Sequence, residues 1–205
     1  MASNVLQPYG LSWSRNKIGA APTVQNQIFT IKSGYNAAIG FGDVVAIGTS
    51  GNQGYVTIAA DNPSSFLGVF FGCLPYFDKT FQQTVHGGLM GSYQTTANPS
   101  ADINCWVCTD PFAVFRAQVS GGPFAQTWVG NNINWLAGTN GVPGSNGLSV
   151  LALDGASPNT TNTLPFRVEG VVGVTGGPQD PANTNPWLEV SFNPGIALML
   201  QSTGV

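Results

Sequence analysis

Residue types able to do covalent or metal chemistry are scarce in this 205-residue chain: three cysteines, one histidine and nine carboxylates. Cys105-Trp106-Val107-Cys108 has the spacing of half a zinc site, and Cys73 with His86 would complete four ligands. A metal knuckle normally needs a glycine-containing turn, which Trp and Val do not provide. In an extended strand, residues three apart point to opposite faces. The expectation is therefore buried thiols, with no metal and no redox dithiol. His86 is flanked by Gly87-Gly88, and no Gly-x-Ser-x-Gly elbow accompanies it, so no catalytic residue is assigned and the chain reads as a non-enzyme.

The carboxylates do not cluster. Asp43, Asp61, Asp78, Asp110, Asp154 and Asp180 each stand beside Gly, Asn or Pro or at a strand end, where an Asp side chain accepts from backbone N–H groups of a turn. The glycine pairs lack the strand-to-helix context and the lysine of a phosphate loop, and no cofactor is expected. Trp13, Trp128, Trp135 and Trp187, with the amides of Gln126, Asn131, Asn132 and Asn134, have the makings of a sugar-stacking platform. Core or subunit-contact aromatics are the expected reading.

Composition narrows the partners. Six Lys plus Arg against nine Asp plus Glu give a net charge of -3, and charged residues make up only 7% of the chain. The cations Arg15, Lys17, Lys32, Lys79, Arg116 and Arg167 are scattered singly, with no basic stripe, which argues against binding nucleic acid. Weak charge repulsion suits a subunit held among neighbours better than a free monomer. The start has no charged n-region followed by a long apolar segment, and no stretch suits a membrane span, so synthesis in a reducing compartment is expected.

These residues must be carried by strands. The densest apolar run, Phe66 to Asp78, reads as the central strand, with Gly68 and Gly72 marking a bulge or a close neighbour. Gln27–Lys32, Val44–Ile47, Tyr55–Ala59, Thr80–Val85, Ile103–Cys108, Phe112–Val119, Leu148–Leu153, Phe166–Val174 and Trp187–Phe192 read as further strands. Ala125–Leu136 and Gly195–Gln201 have room for a turn or two of helix. Residues 1–27 carry no period and hold spaced anchors at Leu6, Tyr9, Leu11 and Trp13, as an extended arm would. The fold expected is all-β: a single β-sandwich or β-barrel domain over 28–205, jelly rolls included, with little helix and a loop-rich region at about 120–165.

The motifs Gln27-x-Phe29-Thr30-Ile31-x-Ser33-Gly34-Tyr35-x-x-Ala38-Ile39, Gly42-Asp43-Val44-Val45, Ser50-Gly51, and Leu67-Gly68-Val69-Phe70-x-Gly72-Cys73 with Tyr76-x-Asp78 come in a telling order. Asp110-Pro111-x-x-Val114-Phe115-x-Ala117-Gln118 and Phe166-Arg167-Val168-x-Gly170 follow. Over about residues 19–192, this order resembles that of small β-rich structural proteins of tailed-bacteriophage virions. The resemblance implies a head decoration or cement protein on the outside of the capsid shell, made in the host cytoplasm. It implies the major capsid protein and copies of itself as partners, with a trimer favoured, and neither nucleic acid nor membrane. The residues expected to meet partners are Leu6, Tyr9, Leu11 and Trp13 in the arm, and Trp128 and Trp135 in the loops. The rival reading is a tail- or fibre-associated protein that binds host glycans through the 120–165 loops.

Overall fold

The computed structural model describes residues 4–19, 26–79, 82–85, 88–89, 92–93, 99–144, 146–175 and 179–200. The fold is all-β, and it is a sandwich rather than a closed barrel. The first sheet is built from β1 (Ser12–Asn16), β10 (Ala113–Ser120), β14 (Trp187–Phe192), β13 (Phe166–Val172) and β11 (Asn132–Ile133), side by side in that order. Its neighbours are antiparallel; β12 (Leu153–Asp154) adds a short parallel pairing to the end of β10.

The second sheet runs β2 (Asn26–Ile31), β9 (Ile103–Cys108), β5 (Gly68–Cys73), β3 (Val44–Ile47) and β4 (Val56–Ile58), with β8 (Gly88–Leu89) against the far end of β5. A hairpin of β6 (Tyr76–Asp78) and β7 (Gln83–Val85) stands apart. Among the described residues, helix is confined to single 3-10 turns at Gln126–Trp128 and Leu198–Leu200.

β5 occupies the middle of its sheet and every residue of it is buried. Both glycines in it are required. A Cβ on Gly68 would collide with the carbonyl oxygen of Cys108 on β9. Gly72 has φ +123°, and the β5–β9 register slips between Phe70 and Gly72. A bulge and a close backbone approach are thus both present. Phe71 faces the first sheet and Phe70 faces away, as period two requires, and the slip then puts Cys73 on the same face as Phe70.

That alternation divides the interior into two cores. Between the sheets, Phe66, Phe115, Phe166 and Phe192 pack with ring centroids 5.1–6.3 Å apart, and Phe71 stacks on Phe41 at 5.1 Å. On the other face of the second sheet lie Ile31, Val45, Phe70, Cys73, Ile103, Cys105 and Val107. Three tyrosines help to cover them: Tyr93 stands 6.1 Å from Tyr35 and 6.3 Å from Tyr76, and its hydroxyl donates to the Tyr35 carbonyl at 2.6 Å.

Four segments differ from the sequence expectation. Phe66–Asp78, read as one central strand, breaks at Leu74-Pro75 into β5 and β6, which belong to different sheets. Ser12–Asn16, read as part of the arm, forms the edge strand β1. A register shift between Trp13 and Arg15 breaks its period of two, so no alternation is visible in the sequence. Leu148–Leu153 is mostly irregular, making isolated bridges at Leu148 and Ser149 and entering a strand only at Leu153. The 120–165 region is less a decoration than a plug, because Ile133, Trp135, Leu151 and Leu153 are all in the core between the sheets.

Candidate functional site

Residues 4–11 are extended, but they lie along their own domain. The buried side chain of Gln118 on β10 clamps them: its Oε1 accepts from Gln7 N at 2.8 Å and its Nε2 donates to Val5 O at 2.8 Å and Asn185 O at 3.2 Å. Asn185 Nδ2 donates to Asn4 O at 3.0 Å, and Asn4 Nδ2 to Asp180 O at 3.2 Å. Tyr9 stacks on Trp187 with centroids 4.6 Å apart, and Leu11 N donates to Gly42 O at 3.0 Å.

The result is a held backbone with apolar side chains turned outward. Val5 is 68% exposed, Leu6 41% and Tyr9 37%. Leu11 is wholly buried and Trp13 half-buried against the inter-sheet core, with its Nε1 buried and unpartnered. Of the four arm residues expected at a contact, Leu6 and Tyr9 present surface, Trp13 little and Leu11 none. Val5 was missed in the sequence; it belongs to the same row only because Gln118 fixes the chain there.

The two loop tryptophans part company. Trp128 sits half-buried in the 3-10 turn, edge-on to Phe124 at 5.9 Å. Trp135 is 1% exposed, packs on Phe166, and donates from Nε1 to Asp61 Oδ1 at 3.0 Å. No shared platform forms: Trp135 has no face left for a sugar or a neighbouring subunit.

Cys105 and Cys108 face different cores, as strand parity requires. Cys73 lies opposite Cys105 across the β5–β9 pair, and all three are free thiols. Burial pushes Cys73 up to about 11 and Cys105 and Cys108 up to about 12, so each stays protonated and a poor nucleophile. His86 lies outside the described residues. Among the described residues, no three His, Cys, Asp or Glu stand close enough to share a metal ion.

Asp110, Asp154 and Asp180 hold turns, whereas Asp61, expected to do the same, instead joins segments far apart in sequence. Asp110 accepts from Phe112 N at 2.9 Å, Asp154 from Ala156 N at 2.9 Å, Asp180 from Ala182 N at 2.9 Å, and Asp61 from Gly138 N at 3.0 Å. Asp43 goes deeper. It is wholly buried and accepts from Ser149 Oγ and, at 2.7 Å, from Gly40 N; burial outweighs these bonds and raises its carboxyl to about 6.

The surface clefts add little chemistry. One of about 280 Å³ is lined by Leu74–Phe77 and Ser100–Asn104. Its single carboxylate, Asp102, is engaged by Ser33 N at 2.8 Å and Tyr55 Oη at 2.9 Å. A broader one of about 510 Å³ between β3, β4 and residues 60–65 has no ionisable side chain.

The charges are arranged less randomly than their spacing suggests. Arg15, Lys17, Arg116 and Arg167 converge with Glu169 and Glu189 on the outer face of the first sheet. Glu189 pairs with Arg15 at 3.0 Å and Arg116 at 3.6 Å, and Glu169 with Lys17 at 2.5 Å. Ser14 donates to Glu189 at 2.8 Å and Ser191 to Glu169 at 2.5 Å. Burial opposes ionisation of both glutamates, but these hydroxyls and cations hold each carboxyl below its usual value. No protein-family model, curated protein or solved structure matches this chain.

Proposed function

We propose that this chain is a virion structural protein of a tailed bacteriophage, a decoration or cement protein that binds the outside of the capsid shell and stabilises contacts between capsomers. The order of motifs along the sequence suggests it, and one structural observation carries it: the row Val5, Leu6 and Tyr9, exposed on a backbone that Gln118 and Asn185 hold in place. Apolar side chains shown on an ordered segment suit burial by a neighbour, since little further chain entropy is lost on contact. A cement protein works by adding buried area across seams, and its several simultaneous contacts reinforce one another.

The test is rebinding to shells stripped of this protein. The unaltered chain should bind in many copies per particle, and a Val5→Ser/Leu6→Ser variant with unchanged unfolding midpoint should be lost on washing. Equal retention of the two would remove this row from the interface. A few copies located at the tail would favour the glycan-binding alternative, with Trp128 as the aromatic a sugar would meet.

A further inference from the structure

The outer face of the first sheet gathers four of the six cations of a chain whose net charge is -3. With Glu169 and Glu189 the face has a surplus of two positive charges. The remainder of the chain holds two cations against seven carboxylates. The register explains the gathering: Arg116 on β10 stands directly opposite Glu189 on β14 and Ser12 on β1, while Arg167 on β13 stands opposite Ser191 on β14.

The depth of the charges matters more than their number. The glutamates are recessed, with side chains 16% and 22% exposed, whereas those of Arg15 and Arg116 are 49% exposed and that of Lys17 33%. Acids lie beneath and bases above, so the face presents positive charge outward. Arg15 and Arg116 both approach Glu189 through Nε, which leaves their terminal nitrogens without a protein partner among the described residues. Two guanidinium forks are thereby held side by side, ready for paired hydrogen bonds to carboxylates.

We propose that this face, Arg15, Lys17, Arg116 and Arg167 set over Glu169 and Glu189, is a docking surface for an acidic protein partner whose carboxylates meet the exposed guanidinium ends. Charge complementarity selects the partner. A polyphosphate would gain from the four cations but be repelled by the two fixed carboxylates between them, and a surplus of only two charges supports a shallow salt dependence. A protein surface can place its carboxylates over the cations and its own donors over the glutamates. The surface borders the Val5–Tyr9 row, because Gln118 and Trp187, which hold that row, stand two residues along β10 and β14 from Arg116 and Glu189 on the same face; it rests on different side chains and stands whether or not the shell reading does.

The test uses the full chain on immobilised poly-L-glutamate at low salt, with duplex DNA and phosphatidylserine vesicles as rival probes. The unaltered protein should be retained on poly-L-glutamate and released by added salt. Arg15→Gln/Arg116→Gln should bind about fivefold more weakly, the scale of two exposed ion pairs. Lys32→Gln/Lys79→Gln, which changes the net charge equally but off this face, should bind as the unaltered chain does. Should the first pair fail to fold, Arg167→Gln replaces it; this side chain is exposed and makes no direct ion pair among the described residues, and its loss should weaken binding about twofold. No retention of the unaltered chain, equal weakening by both pairs, or tighter binding to DNA or vesicles would overturn the proposal.

Discussion

A carboxylate taken out of water with no cation against it is a conflict that the sequence states only as an Asp after a Gly. Asp43 shows how it is resolved. Ser149 and Gly40 donate to it, and Ser149 Oγ in turn accepts from Leu151 N at 2.9 Å, so the carboxylate ties the plug of residues 149–153 to the start of β3. Burial still wins, and its carboxyl titrates at about 6. Because the folded value lies above the unfolded one, near 4, the native state holds a proton that the unfolded chain has released between these values. Stability from this group is complete below pH 4 and is lost as pH rises through 6. Urea unfolding from pH 4 to pH 7.5 should therefore show the unaltered protein losing about 2 kcal/mol more than Asp43→Asn, whose neutral amide removes the titration. Glu169 and Glu189, held below their usual values, act in the opposite sense and lose stability as pH falls. They are common to both proteins and cancel in the difference. Equal pH slopes for the two would refute the assignment.

At the scale of elements, the N-terminal segment is the place where a single side chain positions a whole stretch. Gln118 is 2% exposed and makes three hydrogen bonds that bridge residues 5–7 and Asn185. Gln118→Ala should cost about 1–3 kcal/mol through the backbone groups it leaves unpaired. It should also release residues 4–9 while β1 stays paired: amide exchange at Gln7 should accelerate far more than exchange at Val114 or Phe115. Equal acceleration at all three sites would mean that Gln118 supports the sheet rather than the segment. Gln118 closes one of the sequence motifs, but its role is not legible there, since it depends on Asn185, 67 residues away. Strands were legible where period and composition agreed, as in β2, β3, β5, β9, β13 and β14. β1 was hidden by its bulge and β11 by having only two residues. The opposed thiols could be read from strand parity alone. Burial of Trp135 could not, because it depends on Asp61, which is 74 residues away and comes near only once the sheets have packed. The charged face was invisible for the same reason: Arg15 and Glu189 lie 174 residues apart.

For the molecule as a whole, the decisive fact is that the two cores share a wall. β3, β5 and β9 each send alternate side chains to both: Val44 and Val45, Phe71 and Phe70, Cys108 and Cys105. Losing either core would strip one face of the same three strands, so neither can melt while the other keeps its packing. The chain carries separate reporters for the two. Trp13, Trp106, Trp128 and Trp135 pack in or against the inter-sheet core, whereas the second core has no tryptophan and holds Cys73 and Cys105. Tryptophan fluorescence and the reactivity of these two thiols should therefore change at the same denaturant concentration, and the thiols should be inert to a disulfide reagent before the transition. Phe70→Ala, which opens the second core, should lower both midpoints together by an amount equivalent to about 3–5 kcal/mol. If the thiols of that variant instead became reactive while tryptophan emission stayed native, the second core would be a separable unit. The second sheet could then hold its register against the first with one face stripped.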